Sequence, residues 1–447
     1  MNNKYTYRHI VRLTIEAATP LAVGCGMSDV LTDALVIKDV NGLPYIPATG
    51  IAGVIRHALK YNEVDVDDLF GFQGFKEDDG KGSRVIFTDA KMVGKDGKVI
   101  DGLQNIDWKD EFYGLYATLP IRQHVRINQK GTAEDKGKFD EQVVYQGTRF
   151  MFEMELISKQ AEDPEFEQLL NTIHSPAFRL GSGTRSGFGC IKVVSCQSAS
   201  INFNKNDDME AYLAKSSSLT ESWSKFKEHA IDCMNEKDVW QEYTLQLKPK
   251  DFFLFSSGFG DEDADITPTL EKKVLWEDGK PKLRDVYVIP ATSVKGAIAH
   301  RFLYHLNKDM GNFADKEADD DIKKVIKDAM TSLFGIAGDN EKDIVCGNMM
   351  IDDILLPLST EKEDYKFFNH IAIDRFTGGV LGGALFTEKT TYLKEEPIII
   401  KILVENNALT DDIKNAFEKT LKDIAKGLLP LGGGTSRGHG IFIGEIK

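Results

Sequence analysis

The chain has 447 residues, a formal net charge of −15, 42% hydrophobic residues and 10% aromatic residues. This length predicts two domains of about 200 residues each rather than one core, and the composition excludes a disordered protein. The negative charge excludes a protein that coats nucleic acid by bulk attraction, so any RNA binding must depend on local patches and backbone donors.

Targeting segments and metal motifs are not indicated. No window approaches the roughly 18 apolar residues of a membrane helix, and the start of the chain carries no apolar stretch, so we expect a cytoplasmic protein. The five cysteines include no C-x-x-C pair and the histidines no H-x-x-x-H pair. Neither a disulfide framework nor a zinc site is therefore expected.

Each half of the chain is predicted to begin and end with a strand. Residues 11–15 and 243–248 alternate apolar and polar side chains, as half-buried strands do. Residues 191–194 and 441–446 follow glycine-rich loops near the end of each half. A hairpin is predicted at 34–46, because its Asn-Gly pair favours a tight turn.

A helix is predicted after this hairpin. Thr49 or Gly50 can cap it, and its apolar residues form one face at positions 51, 54, 55, 58 and 59. The second half repeats this face with Val294, Ala297, Ile298 and Phe302. Helices mixed with antiparallel strands in this way predict an α+β, ferredoxin-like core in each half.

The two halves are copies of one domain. Residues 46–57 recur as 289–300 with seven of twelve positions identical, and the glycine loop 181–189 recurs as 432–440 with five of nine identical. An LFG motif, followed by a strand that ends in aspartate, lies between them in both halves. Matches in the same order with shifting spacing indicate a duplicated domain rather than a short-period solenoid.

A polar segment separates the copies. We predict a first domain at 1–197, a linker with a possible helix at 198–240, and a second domain at 241–447. The linker helix is expected at about 221–234. The longer middle of the second copy is attributed to a helical insertion at 307–331.

The order of these motifs resembles the RAMP superfamily, and in particular the backbone subunits of type III CRISPR effector complexes. The resemblance is carried by Asp33, the segments 42–47, 374–379 and 384–386, and the two glycine loops. It covers the whole chain except the linker and the insertion at 307–331. A chain with two copies resembles the fused backbone subunits of some type III systems.

The resemblance implies two tandem modified ferredoxin-like (RRM-like) RAMP domains that grip CRISPR RNA (crRNA). Each domain would carry a β-hairpin thumb that interrupts the guide–target duplex, with candidates at 125–145 and 377–390. An acidic loop residue would support cleavage of target RNA through attack of a ribose 2′-hydroxyl, with Mg²⁺ or Mn²⁺ as the cofactor. The implied partners are crRNA, target RNA, further RAMP backbone subunits and the large subunit, with no membrane.

Asp33 matches the catalytic aspartate of this family. It could deprotonate the attacking hydroxyl or hold the metal ion. In the second copy the position stays open, because counting from the apolar strand selects Glu271 and counting from the first strand selects Asp265. The acidic cluster at 261–265 could bind a cation or form a solvated loop.

The candidate RNA-binding residues fall into three groups. The glycine loops can bring backbone amides close to phosphates, the helices can present their N-terminal amides, and the loop at 374–379 can stack a base on an aromatic ring. The candidates are Thr49, Arg56, Gly181, Gly183, Arg185, Gly187, Thr292, Lys295, Arg375, Phe376, Gly432, Gly434, Arg437 and Gly438. Lys295 stands where the family often carries lysine, whereas the first copy has Ala52 there, with Arg56 one turn later.

Two alternatives to a cleaving backbone subunit stay open at the level of the sequence. One is the same crRNA-binding scaffold without catalysis. The other is a crRNA-processing endoribonuclease of the same superfamily, which usually relies on a histidine and one terminal glycine loop. His9, His57 and His300 are available for that role, but the doubled architecture fits it poorly.

Overall fold

The computed structural model of the protein describes residues 5–30, 32–61, 64–74, 79–128, 131–230, 239–313, 319–336, 344–358, 365–392 and 397–447. The helices are α1 (Ala48–Tyr61), α2 (Val66–Phe70), α3 (Glu111–Ala117), α4 (Pro164–His174), α5 (Asn206–Leu213), α6 (Ala291–Asp309), α7 (Asp320–Phe334) and α8 (Asp411–Ala425). The strands of the first half are β1 (Tyr7–Ala17), β2 (Phe72–Gln73), β3 (Gly80–Lys81), β4 (Val85–Phe87), β5 (Lys91–Met92), β6 (Ile121–Ile127), β7 (Ala133–Gln142), β8 (Arg149–Ser158), β9 (Ile191–Asn202) and β10 (Lys227–Glu228). Those of the second half are β11 (Trp240–Pro249), β12 (Leu270–Glu277), β13 (Lys280–Ile289), β14 (Gly335–Ile336), β15 (Val345–Cys346), β16 (Met349–Ile351), β17 (Ile354–Pro357), β18 (Tyr365–His370), β19 (Phe386–Thr391), β20 (Ile398–Glu405) and β21 (Phe442–Ile446).

The two halves have the same sheet. The first half orders its strands β10-β9-β1-β8-β4, with β5 also on β8, and the second orders them β16-β20-β11-β21. The chain order is β1-α1-β4-β8-α4-β9 in one half and β11-α6-β16-β20-α8-β21 in the other. Both are the βαββαβ arrangement of a ferredoxin-like antiparallel sheet. The predicted α+β, ferredoxin-like fold is therefore confirmed.

The predicted helix faces supply each core. Ile51, Ile55 and Leu59 of α1 are buried in the first cluster of apolar side chains. Val294, Ile298 and Phe302 of α6 are buried in the second cluster. Each such side chain stabilises the fold by about 1.5–3 kcal/mol on burial, so these helices are held to their sheets mainly by apolar packing.

The predicted hairpin at 34–46 is only partly formed. Lys38 and Pro44 make an isolated antiparallel bridge, and Asp39 Oδ1 accepts the amides of Asn41 and Leu43 within the turn. Pro44 has no amide to donate, so a longer ladder does not develop. The second copy instead forms the full β12–β13 hairpin, whose turn residues Asp278 and Gly279 both have positive φ.

Two further hairpins project from the sheets. The first thumb, residues 121–142, pairs β6 with β7, and the second thumb, residues 365–391, pairs β18 with β19. Both begin earlier in the chain than the sequence indicated, because the paired strands extend beyond the glycine-containing turns that marked them. The thumb assignment itself stays an interpretation.

The segment between the copies differs in detail from the prediction. Strand β9 continues to Asn202, and β10 pairs with it, so part of the expected linker extends the first sheet. A helix is present at Asn206–Leu213. None is formed over 221–230, where one was expected; residues 231–234 of that expectation lie outside the described residues. The division into domains at 197 and 240 stays a prediction.

Strand β12 joins the second copy to the first. The amide of Val274 donates to the Gln146 carbonyl at 2.9 Å, and Trp276 Nε1 donates to the Gly147 carbonyl at 2.8 Å. Val274 is buried in the first core, and Trp276 packs against it. The copies therefore share an interface, called the junction below, in which the first thumb and first glycine loop meet β12 and the start of α6.

Candidate functional site

In the first copy, Asp33 lies beside the base of the first thumb. Its Oδ2 accepts a hydrogen bond from the backbone amide of Asp140 at 3.0 Å. The next residue, Ala34, forms a parallel bridge with Glu141 of β7. Asp33 is exposed, so a substrate can approach a carboxylate whose position is set by strand β7.

The second copy repeats this geometry with Asp265. Its Oδ2 accepts a hydrogen bond from the backbone amide of Thr387 at 2.8 Å. Ile266 then forms a parallel bridge with Glu388 of β19. Asp265 is also exposed, and it occupies the place of Asp33. Of the two candidates from the sequence, Asp265, which was found by counting from the first strand, is therefore the structural counterpart of Asp33.

Glu271 lies elsewhere, in the junction. The guanidinium of Arg122 forms ion pairs with Glu271 at 2.5 Å and with Asp353 at 3.0 Å, and all three side chains are at most 7% exposed. Burial disfavours the charged guanidinium, but Asp353 and Glu271 together raise the pKa of Arg122. Counting from the apolar strand misplaced the equivalent position, because β12 belongs to a longer hairpin than its counterpart in the first copy.

The acidic cluster at 261–265 is organised as a turn. Asp261 Oδ1 accepts the amides of Asp263 and Ala264, and Lys389 Nζ lies 3.8 Å from Asp261 and 3.5 Å from Asp263. Across the described residues, no three or more His, Cys, Asp or Glu side chains are grouped as a metal site. These carboxylates are thus partly neutralised by a lysine of the second thumb.

Asp33 nevertheless fits a metal shared with RNA. Mg²⁺ usually keeps several waters and is held by one or two carboxylates together with substrate phosphates. The Asp33 carboxylate is exposed and engages a backbone amide through Oδ2. A single protein ligand of this kind matches what Mg²⁺ or Mn²⁺ requires when RNA supplies the other oxygens.

In each copy a buried glutamate follows the residue whose amide binds Asp33 or Asp265. The sequence analysis did not identify these two glutamates. In the first copy, His124 Nε2 of β6 lies 3.0 Å from Glu141 Oε1, and the His124 ring stacks on Phe139 at 4.6 Å. Ser182 of the first glycine loop donates to Glu141 Oε2 at 3.3 Å. Glu141 therefore contacts both the opposite thumb strand and the glycine loop.

The second copy has the same arrangement. His370 Nε2 of β18 lies 2.6 Å from Glu388 Oε2, and the His370 ring stacks on Phe386 at 4.6 Å. Arg437 of the second glycine loop donates to Glu388 Oε1 at 2.5 Å. The two histidines begin similar segments of the sequence, 124–128 and 370–374, but the glutamates lie in strands of low similarity. Arg437, a candidate for binding RNA, is thus engaged by Glu388.

The glycine loops have the backbone conformation expected for them. Gly181 has a φ of +86°, and a Cβ there would lie 2.4 Å from the Ala22 carbonyl oxygen. Gly432 has a φ of +92°, and its Cβ would lie 2.5 Å from the Leu254 carbonyl oxygen. Positive φ also occurs at Gly183, Gly187, Gly434 and Gly438. Each loop begins with glycine because it packs closely on the segment that follows the first strand of its copy, at Ala22 after β1 and at Leu254 after β11.

Gly187 and Gly438, although equivalent, have different surroundings. A Cβ on Gly187 would lie 2.3 Å from Asp353 Oδ1, inside the junction. A Cβ on Gly438 would meet no atom within 4 Å among the described residues. The loop is therefore open at Gly438, whereas Gly187 is enclosed by the second copy.

Arg185 and Lys295 meet at the junction. Lys295 Nζ donates to the Arg185 carbonyl at 3.0 Å, and the Arg185 guanidinium lies 5.8 Å from the Trp240 ring centre. Burial, followed by the charge of Arg185, lowers the pKa of Lys295 to about 8, and burial lowers the pKa of Arg185. Arg185 Nη1 is buried without a hydrogen-bond partner among the described residues. The two candidates form one largely buried cationic pair rather than separate surface contacts.

The aspartate after each LFG motif caps the N-terminus of the long helix that precedes the motif, α1 in the first copy and α6 in the second. Asp89 Oδ1 accepts the amide of Ala48 at 2.9 Å, and Asp353 Oδ1 accepts the amide of Ala291 at 2.7 Å. A carboxylate at a helix N-terminus satisfies an unpaired donor and complements the helix dipole. These two amides are therefore already bonded to a carboxylate of the chain, and phosphate binding by the other amides of the first turns stays a prediction.

The remaining candidates on the helices differ in their exposure. Thr49 is exposed and Thr292 is half-buried on the first turns of α1 and α6. Arg56 Nη2 lies 2.7 Å from Asp67 Oδ1 in an exposed ion pair. Such a pair is worth only about 0–1 kcal/mol, so Arg56 can exchange Asp67 for an RNA phosphate at little cost.

The loop of the second thumb presents an aromatic side chain to solvent. Phe376 is 100% exposed, and Arg375 beside it is exposed. Asp374 Oδ1 accepts the amides of Phe376 and Thr377 at 2.7 and 2.8 Å, which lowers the pKa of Asp374. The loop therefore holds a ring and a guanidinium in positions from which they can contact an RNA base and phosphate.

The histidines considered for crRNA processing do not share one site. His9 is buried in the first sheet, with Nδ1 2.8 Å from Ser200 Oγ and Nε2 3.0 Å from the Gln160 carbonyl. His57 and His300 are exposed at equivalent positions on α1 and α6. Both ring nitrogens of His9 thus have partners within the protein, which favours a structural role for His9 in the sheet.

The family profile of the RAMP superfamily matches residues 14–192 and 281–443, which together are well over half of the chain and fall one in each copy. No curated protein matches the chain. Within the described residues, no helix is long and apolar enough to cross a membrane.

Proposed function

The chain belongs to the RAMP superfamily, a group of CRISPR-associated RNA-binding proteins, and on that basis we propose that it is a crRNA-binding backbone subunit of a type III effector complex that cleaves target RNA. The observation that supports cleavage most directly is the repetition of Asp33 as Asp265. Each is an exposed carboxylate held at the base of a thumb by a backbone amide of that thumb.

Cleavage would use these carboxylates on a displaced nucleotide of the target. A thumb interrupts the guide–target duplex, and an exposed ring such as Phe376 provides a stacking surface for a displaced base. Asp33 would accept the proton of the ribose 2′-hydroxyl or hold the metal ion beside the scissile phosphate. A bound Mg²⁺ or Mn²⁺ would supply neutralisation of the charge that develops on the phosphate.

RNA binding would depend on local contacts, since the net charge is −15. The described surfaces that fit this role are the glycine loop around Gly438, helix α1 with Thr49 on its first turn and Arg56 further along, and the second thumb loop. Partners would be crRNA, target RNA and further effector subunits that continue the RNA groove. Stacked modules would then bind RNA more tightly than the isolated chain, because once one module is bound the others meet the same RNA at a high effective concentration.

The decisive experiment is a cleavage assay with the assembled complex, guide RNA, labelled complementary target and Mg²⁺. We expect two cuts, one for each copy, and loss of both when EDTA removes the metal. A complex that binds target tightly and yields no product would favour the scaffold without catalysis. Cleavage of repeat RNA by the isolated chain without metal would favour crRNA processing.

A further inference from the structure

Glu141 and Glu388 are buried at the same place in the two copies. They are 9% and 2% exposed, and each directly follows the residue whose backbone amide holds Asp33 or Asp265. Neighbouring residues of a strand cannot shift independently. A side chain that anchors the glutamate therefore also fixes the preceding residue of the strand, whose amide binds the carboxylate of Asp33 or Asp265.

Each glutamate is anchored from two further directions. Glu388 contacts His370 of the opposite thumb strand at 2.6 Å and Arg437 of the glycine loop at 2.5 Å. Glu141 contacts His124 at 3.0 Å and Ser182 of its glycine loop at 3.3 Å. The glutamate is thus the point at which thumb, glycine loop and aspartate loop meet.

A purely structural role would not require this chemistry. Burying a carboxylate costs several kcal/mol unless its partners compensate, and apolar side chains of similar volume often stabilise such a place equally well. The glutamate and histidine nevertheless occur in both copies, although the glycine-loop donor is Ser182 in one copy and Arg437, from a different position of the loop, in the other. What the two copies share is the connection between the loops, by two different donors.

From this geometry we propose that Glu141 and Glu388 are positioning residues for target cleavage. Each holds the candidate catalytic aspartate of its copy at a set distance from the glycine loop that carries the guide. This inference rests on the proposed function and adds to it the element that aligns the carboxylate with the scissile phosphate. Displacement of a reacting group by about 1 Å can slow a reaction by about 10²-fold.

The test is the Glu388→Gln variant in the assembled complex, with single-turnover rates measured separately for the two cuts and target affinity measured in parallel. We expect the cut of the second copy to slow by about 10- to 100-fold, with target affinity and the cut of the first copy within about twofold of wild type. Glu141→Gln should give the reverse pattern. A difference in rate without a difference in affinity is not expected from a general loss of folding.

Asp423→Asn is the matched control. Asp423 also contacts one arginine and one histidine, with Arg301 Nε at 2.6 Å and His305 Nε2 at 2.7 Å, but it is a residue of α8 and both partners are residues of α6. Like Glu388→Gln, the Asp423→Asn variant removes one negative charge from the second copy, but it should leave both cutting rates near wild type. If the Glu388→Gln chain does not assemble, Ser182→Ala removes the glycine-loop donor of the first copy, together with the contact of Ser182 Oγ with the Ala22 carbonyl at 3.2 Å, and should slow that cut several-fold.

The outcomes separate the two proposals. Wild-type cutting by both glutamate variants, or equal slowing by Asp423→Asn, would overturn the positioning role and leave the proposed function intact. Wild-type complex that makes no cut would overturn the proposed function, and the positioning role with it. Slowing confined to the cut of the altered copy supports both.

Discussion

Arg122 Nη2 of the first thumb lies 3.0 Å from Asp353 Oδ2 of the second copy. The same Asp353 side chain accepts the first amide of α6, from Ala291, at 2.7 Å. Burial raises the pKa of Asp353 to about 6, against the opposing charge of Arg122. One carboxylate therefore connects the first thumb to the helix of the second copy.

Removal of this arginine should destabilise the chain. We expect Arg122→Met to lower the free energy of unfolding by about 3–5 kcal/mol at pH 7, because it leaves two buried carboxylates without their cation. Below pH 6 the loss should become smaller, since Asp353 is then protonated and no longer carries a buried charge. Thermal melts at pH 5 and pH 7 measure both effects.

Arg126→Met is the control for the junction arginine. Arg126 lies on the same strand β6, but its pair with Glu134 is exposed and 3.7 Å long. A change within about 0.5 kcal/mol is expected there. An Arg122→Met chain with wild-type stability at pH 7 would contradict the role assigned to the junction pair.

The two aspartates should control separate cuts. Asp33→Ala should slow one target cut by about 10²-fold or more while guide and target binding stay near wild type, because the carboxylate acts only on the reacting hydroxyl or its metal. Asp265→Ala should do the same to the other cut. Product bands from assembled complexes, resolved on denaturing gels, report each rate.

Glu271→Ala provides the contrast to these variants. It removes a partner of Arg122 in the junction, so we expect lower thermal stability with both cuts retained. An Asp33→Ala complex that binds target and forms every product at the wild-type rate would rule out the catalytic assignment.

Lys295 should destabilise the chain when RNA is absent. Its pKa is lowered from 10.5 to about 8 chiefly by burial, so the unfolded chain binds the proton more tightly than the folded chain. Lys295→Met should raise the melting temperature at pH 7 by about 5 °C, for a removed cost of about 2 kcal/mol. The advantage should shrink as pH rises from about 8 towards 10.5, where Lys295 is neutral in both states.

Lys308→Met serves as the matched variant, since Lys308 is exposed on the last turn of the same helix. A change within about 0.5 kcal/mol is expected from it at all pH values. A lower melting temperature for Lys295→Met at pH 7 would show that the lysine is satisfied in the free chain.

The second glycine loop should be sensitive to side chains. Gly434→Val adds a Cβ 3.0 Å from His439 Nδ1 at a φ of +67°, so the loop must shift and guide occupancy of the complex should fall by about tenfold, equivalent to about 1.4 kcal/mol. Gly311→Val has a similar φ of +66° and meets no atom within 4 Å among the described residues. It should keep full guide occupancy, and equal loss in both variants would assign the effect to backbone strain alone.

The local elements followed from the sequence because their causes are local. Apolar residues at helical spacing predicted the buried face of α1 with Ile51, Ile55 and Leu59. The repeated motifs predicted two copies of one fold, and the sheets of the two halves have the same strand order. Positive φ in the glycine loops also followed directly, since few other residues adopt it.

The pairings between residues far apart in the chain were decided only by tertiary structure. Counting along the sequence could not decide whether Glu271 or Asp265 is the counterpart of Asp33, because the two copies have hairpins of different length at that point. The hydrogen bond between Asp265 and the Thr387 amide joins residues that are 122 positions apart. In the same way Arg122 and Glu271, 149 positions apart, form a buried ion pair, because packing of one module on the next brings together charges whose separation along the chain carries no periodic signal.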